Sequence, residues 1–163
     1  MMEVKHLQKI TIEINGEHKK FRIDPSIMLS DLLRENGYFG VKIGCRNGDC
    51  GVCTILLDGK TVKSCILYAA QAHERRVTTI EGLGDPLGVP HTIQQAFAET
   101  GAVQCGYCTP GMILSTLELL EKNLNPSDQE IKDALDGILC RCTGYVKIFD
   151  AVKLSAERLR GEN

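Results

Sequence analysis

The sequence has no tryptophan, few aromatic residues (5% of 163) and almost no net charge. Lys and Arg number 19 against 21 Asp and Glu, a balance of −2. That leaves little basic surface to neutralise phosphates, which argues against a nucleic-acid partner. No stretch reaches the ~18 uncharged apolar residues of a membrane span. The segment Met1 to Lys9 has no apolar h-region, so no secretory signal is expected and a reducing, cytoplasmic compartment is. Sixteen Gly and five Pro are near average usage, which excludes collagenous, linker-like or low-complexity chains. With 43% hydrophobic and 25% charged residues, the chain is in the ordinary globular range.

What the sequence does have is eight cysteines. That is about 5% of residues, below the ~8–10% of short disulfide scaffolds, and a reducing compartment keeps such pairs as thiols. Metal ligation is the expectation.

Two halves differ in periodicity. In the first, Ile10, Ile12 and Ile14 alternate with polar residues, Asn15-Gly16 supplies a tight turn, and Phe21 and Ile23 alternate again, which predicts a β-hairpin. Ser26 reads as an N-cap for a helix carrying Leu29, Leu32 and Leu33 and stopped by Gly37. A second strand pair is expected at Thr54 to Leu57 and Thr61 to Ser64 around Asp58-Gly59, then a helix from Ile66 to Ala72 and a strand from Arg76 to Ile80. The Gly- and Pro-rich run Glu81 to Pro90 reads as a linker. Beyond it the pattern is helical. Segments are expected at Thr92 to Thr100, from Thr109-Pro110 onward with a cap and an early Pro, after the Ser127–Glu130 capping box, and from about Tyr145 to Leu159. The fold class is therefore α+β. The domains are 1–81 and 91–163, with the linker at 82–90.

Each half owns four cysteines. Cys45, Cys50, Cys53 and Cys65 are spaced C-x4-C-x2-C-x11-C, in agreement with plant-type [2Fe–2S] sites. Glycines beside the ligands let the loop turn tightly and bring amides to sulfur. A structural zinc would use Cys50 and Cys53 as a C-x2-C pair but leaves Cys45 and Cys65 unexplained. Cys105, Cys108, Cys140 and Cys142 are spaced C-x2-C-x31-C-x-C. By spacing alone this quartet suits zinc as well as iron–sulfur. Both of its pairs precede expected helix starts, where amide donors and the dipole favour thiolate. The histidines His6, His18, His73 and His91 are scattered away from ligand spacing, so a Rieske site is not expected. They read as surface residues, and Glu74-Arg75-Arg76 and Glu157 to Arg160 as solvated faces.

Three ordered motifs then carry a resemblance: Gly44 to Thr54, Gln104-Cys105-Gly106-Tyr107-Cys108-Thr109-Pro110-Gly111, and Cys140-Arg141-Cys142-Thr143-Gly144-Tyr145. In register from about Ile10 to Leu159, the chain resembles the iron–sulfur small subunit of the xanthine oxidase family of molybdenum hydroxylases, as in carbon monoxide, nicotinate and purine dehydrogenases and 4-hydroxybenzoyl-CoA reductase. The resemblance implies a β-grasp, plant-type ferredoxin-like first domain and a four-helix-bundle second domain, each holding one [2Fe–2S] cluster. It turns the open choice at the second quartet toward iron. It further implies a large molybdopterin subunit as partner beside the helical domain, and a medium FAD subunit toward the ferredoxin-like one. The assembly would be a hetero-oligomer such as a dimer of heterotrimers. Gln104 and Cys142 would meet the pterin, although Gln104 on its own reads as a solvated polar residue. Arg141 is balanced between a cofactor contact and a surface salt bridge. Where the family often has Asn before Leu-Cys-Arg-Cys, this chain has Ile138.

The function so implied is electron relay without a catalytic residue in this chain. Single electrons would pass from a molybdenum centre through two clusters to a flavin or external acceptor. A freely diffusing two-cluster ferredoxin and a zinc-stapled interaction module are the competing readings. The substrate of the whole enzyme, whether purine, nicotinate, aldehyde, CO or an aromatic CoA thioester, belongs to the large subunit.

Overall fold

The computed structural model describes residues 7–85 and 87–161; His6 lies outside them. β1 (Gln8–Ile14) and β2 (Glu17–Ile23) form the expected antiparallel hairpin, with Ile14 opposite Glu17. The turn has φ 52° at Asn15 and 83° at Gly16, the left-handed pair that matches strand twist. Ile10, Ile12 and Ile14 are buried on one face.

α1 (Leu29–Glu35) lays Leu29, Leu32 and Leu33 into the same core. Its cap is not Ser26, whose hydroxyl donates instead to Asp24 Oδ1 at 2.7 Å. Met28 is the N-cap and contributes no side-chain bond. The Leu29 amide donates to Leu67 O at 2.7 Å, so a partner from another segment replaces the local cap. Gly37, at φ 91°, follows the helix end as expected.

β3 (Thr54–Leu57) and β4 (Lys60–Lys63) pair around Asp58-Gly59. The expected helix at 66–72 is instead two 3-10 turns, Ser64–Ile66 and Ala69–Ala72. A bridge between Tyr68 and Met28 holds the intervening chain extended. β5 (Arg76–Thr78) runs parallel to β1 and antiparallel to β3, giving a five-stranded mixed sheet in the order β2-β1-β5-β3-β4. β5 stops two residues short of Ile80 because the Asn15 side chain takes over. Its Oδ1 accepts from the Thr79 amide at 2.8 Å and its Nδ2 donates to Thr79 Oγ1 at 3.0 Å.

The second half contains α2 (Thr92–Glu99), α3 (Thr109–Lys122), α4 (Asp128–Leu135) and α5 (Val146–Leu159). Ile93, Phe97, Met112, Leu120, Ile131, Ile148 and Val152 form its core. Ser127 and Glu130 make the expected reciprocal cap of α4. α3 begins one residue earlier than its Thr109 signal suggests: Cys108 is the N-cap, and Thr109 is already helical.

The halves are not independent beads. All four β3 residues are buried because α3 covers the sheet face away from α1. Val52, between two cysteines of the first quartet, belongs to the helical core. The Thr61 amide donates to Glu118 Oε2 at 2.7 Å, and the Leu139 amide to Cys50 O at 2.9 Å.

Candidate metal centres

The first quartet occupies the loop from Gly44 to Cys53, with Cys65 supplied by the 3-10 turn after β4. Left-handed backbone at Arg46 (φ 62°), Gly48 (φ 90°) and Gly51 (φ 67°) curls the loop on itself. The curl produces a reciprocal pair: the Cys45 amide donates to Cys50 Sγ and the Cys50 amide to Cys45 Sγ, both at 3.3 Å. A Cβ at Gly44 would lie 2.6 Å from Cys50 Sγ, so only glycine lets the backbone come this close. Cys53 and Cys65 form the second pair of sulfurs and are buried. Ser64 locks them, its hydroxyl donating to Cys53 O at 2.7 Å.

Electrostatics differ between the pairs. Backbone N–H groups of Cys50 and Asn47 draw the Cys45 thiol down to about 6. Burial, reinforced by neighbouring Cys53, pushes Cys65 up to about 11. A buried pair of this kind holds thiolates only when a cation supplies the missing charge.

The second quartet joins two loops at helix starts. Cys105 and Cys108 precede α3, and Cys140 and Cys142 precede α5. Here too the sulfurs come in twos. Cys105 and Cys142 are exposed, with Sγ atoms 3.4 Å apart; Cys108, which is buried, and Cys140, which is half-buried, neighbour each other. Burial pushes Cys108 up to about 12. Burial also opposes ionisation of Cys140, but hydrogen bonds from the Thr143 hydroxyl and the backbone of Thr143 and Cys142 outweigh it, and that thiol is lowered. The Tyr107 amide lowers Cys105, while the adjoining Cys105 sulfur raises Cys142.

The pairing tests what the sites fit. Two thiolates on one tetrahedral metal with bonds of about 2.3 Å lie about 3.8 Å apart, close to the Cys105–Cys142 separation. Two pairs side by side suit two metals with two thiolates each, which is the demand of a [2Fe–2S] unit.

Of the other residues the sequence singled out, Gln104 and Arg141 are exposed, and Arg141 makes no ion pair among the described residues. Ile138 is buried, and its carbonyl accepts from the Tyr145 hydroxyl at 3.2 Å. His91 is no bland surface histidine. It is the N-cap of α2, its Nδ1 accepting from the Ile93 amide at 3.3 Å. His73 accepts from the Thr11 amide at 3.1 Å. Sequence reasoning did not foresee the hydrogen-bonding roles of Thr143 and Tyr145 behind the second quartet; the left-handed backbone of Tyr145 (φ 68°) that creates them has no residue-type signal.

Comparison with known proteins bears on both sites. The family described as a 2Fe-2S iron-sulfur cluster binding domain matches residues 12–79, and that described as a [2Fe-2S] binding domain matches residues 79–153. The nicotinate dehydrogenase small FeS subunit of Eubacterium barkeri is 50% identical over 155 residues, covering 93% of this chain and 98% of the relative. The xanthine dehydrogenase iron-sulfur-binding subunit of Escherichia coli O157:H7 is 45% identical over 154 residues, covering 90% and 94%. Among solved structures, quinoline 2-oxidoreductase from Pseudomonas putida 86 superposes with a TM-score of 0.89 at 40% identity, over 97% of this chain and 99% of that one. The aldehyde oxidoreductase from Desulfovibrio desulfuricans ATCC 27774 gives 0.91 at 41% identity, over 96% of this chain and 18% of the longer one.

Proposed function

The chain belongs to the iron–sulfur small subunits of the xanthine oxidase family of molybdenum hydroxylases, and from that premise we propose that it relays single electrons between a large molybdopterin subunit and a flavin subunit or external acceptor. Its cofactors are two [2Fe–2S] clusters; when bound, each accepts and releases one electron at a time. The chain is the electron-transfer part of an oxidoreductase and carries no catalytic residue of its own.

Cys45, Cys50, Cys53 and Cys65 hold one cluster; Cys105, Cys108, Cys140 and Cys142 hold the other. The sheet with α1 across it is read as a ferredoxin-like β-grasp domain over 1–81, and α2 to α5 as a four-helix bundle over 91–163, with 82–90 between them. The observation that carries the relay reading is the bond from the Leu139 amide to Cys50 O at 2.9 Å. Leu139 is joined covalently to Cys140, so one hydrogen bond and the covalent chain of Leu139 link Cys50 to Cys140. A zinc module has no use for such a connection, and paired sulfurs do not suit it.

The face around the second quartet supports an assembled complex over a free carrier. Cys105 and Cys142 are exposed, and Val103, Tyr107, Leu139 and Val146, close to them in sequence, are exposed apolar side chains, Val146 at 66%. Apolar surface of this kind marks an interface. Gln104 and Cys142 on this face would meet the pterin of the large subunit. On this reading the flavin subunit, where present, meets the first quartet's end of the molecule, where Phe39, Ile66 and Tyr68 are exposed. The compartment is cytoplasmic, and the assembly a hetero-oligomer such as a dimer of heterotrimers.

Iron and acid-labile sulfide analysis with EPR of the dithionite-reduced complex tests the reading. About four iron per chain and two distinct signals are expected from two all-thiolate sites. A colourless protein with two zinc, or a chain that purifies alone and exchanges electrons freely with unrelated acceptors, would defeat it.

A further inference from the structure

Behind Cys140 lies a hydrogen-bond device that, among the described residues, has no counterpart at the first quartet. Thr143 Oγ1 is 3.1 Å from Cys140 Sγ and accepts from the Tyr145 amide at 3.2 Å. The Tyr145 hydroxyl reaches back to the same turn, accepting from the Cys140 amide at 2.9 Å and donating to Ile138 O at 3.2 Å. Tyr145 is in left-handed backbone at φ 68°, a costly conformation for a bulky aromatic, and such strain persists only where the surroundings impose it.

The direction of the sulfur contact follows from chemistry. A metal-bound Cys140 has lost its proton, so the hydroxyl must donate. Its oxygen already accepts from the Tyr145 amide, which leaves its single hydrogen for the sulfur. Among the described residues, this is the only side-chain hydroxyl bonded to a cysteine sulfur; Cys45 and Cys50 receive backbone amides.

We infer that Thr143 is a positioning residue that sets the reduction potential of the helical-domain cluster by donating a hydrogen bond to Cys140 Sγ, with Tyr145 holding both partners in place. This rests on the assignment of Cys140 as a cluster ligand. One-electron reduction adds negative charge to the cluster, and an O–H dipole aimed at a ligand sulfur stabilises the reduced form more than the oxidised one. Removing it makes reduction harder at one cluster and leaves the other untouched.

The experiment is a potentiometric titration of the holoenzyme complex, followed by EPR, for wild type, Thr143→Val, Thr143→Ala and Thr143→Ser. Iron content and the presence of two EPR signals in the wild type first establish the cluster assignment independently. In Thr143→Val the helical-domain signal is expected to become roughly tenfold harder to reduce, a fall of about 59 mV for a one-electron couple. Thr143→Ala should follow it, Thr143→Ser should stay near wild type, and the other signal should not move. An unchanged potential in Thr143→Val with full iron content overturns the inference, as does an equal shift at both clusters. Loss of the second cluster in both apolar variants shows a hydroxyl needed for assembly and not for tuning, and overturns it as well.

Discussion

The sheet half and the helical half each bring four sulfurs together in two pairs, and they do so by different physics. In the sheet half a single curled loop supplies three cysteines, and its own amides cradle one pair at 3.3 Å. In the helical half the cysteines come in twos from loops 32 residues apart in sequence at their nearest, Cys108 to Cys140, and side chains such as Thr143 and Tyr145 supply much of the support. A single curled loop offers its sulfurs its own backbone amides, whereas the sulfurs at two helix starts also draw on hydroxyl side chains a few residues along the same loop. Exposed apolar side chains lie near both sites, Val103, Tyr107, Leu139 and Val146 by the second and Phe39, Ile66 and Tyr68 toward the first.

The largest effect should come from removing a ligand. Cys108→Ser is expected to halve the iron, from about four per chain to about two, and to delete one EPR signal; Cys53→Ser should delete the other. If either variant loses both clusters, the two sites are one cooperative unit and the contrast drawn above fails.

Next is the seam between the halves. A Cβ at Gly51 would lie 1.9 Å from Gly137 O, at a φ of 67°. Gly51→Ala should therefore cost about 2–4 kcal/mol by clash and strain, measured by chemical unfolding of the apoprotein. Gly16→Ala, at φ 83° with open space around it, isolates the conformational cost at about 1 kcal/mol. Equal losses in the two would show that the seam is soft.

Smaller again is the capping box of α4. Ser127→Ala should cost about 1 kcal/mol and leave the sheet-half cluster signal unaltered, because only helical-half packing depends on it.

The smallest effect is a pH dependence confined to the helical half. Burial lowers the His91 pKa, and its Nδ1 caps α2 as an acceptor only when neutral. The unfolded chain binds this proton at about 6.5 and the folded chain only at lower pH. Between the two values the unfolded state holds more protons, so stability rises with pH across that window and is lost on acidification through it. Thermal melts of wild type against His91→Gln should differ in slope below about pH 6.5 and agree in slope above it.

Much of this was legible beforehand. The hairpins are written in Asn15-Gly16 and Asp58-Gly59, and α4 in its capping box. What failed to read correctly depended on distant chain. Ser26 lost its capping role because Leu67 supplies an acceptor to α1 from another segment. The segment 66–72 lost its helix to the Tyr68–Met28 bridge. β5 was cut short by the Asn15 side chain. His91 is the exception: its cap is a local bond to the Ile93 amide, at a residue type that seldom caps a helix.

The amino-acid sequence alone determined that one half is sheet and the other helical, because turn chemistry and periodicity are local properties, and it set the spacing of the eight cysteines. Only the tertiary structure decided that Cys105 stands next to Cys142 and Cys108 next to Cys140, and that the Leu139 amide ties one quartet to the other. Those facts depend on where segments far apart in the chain come to rest, and that is set by the packing of β3 under α3 and of Val52 into the helical core.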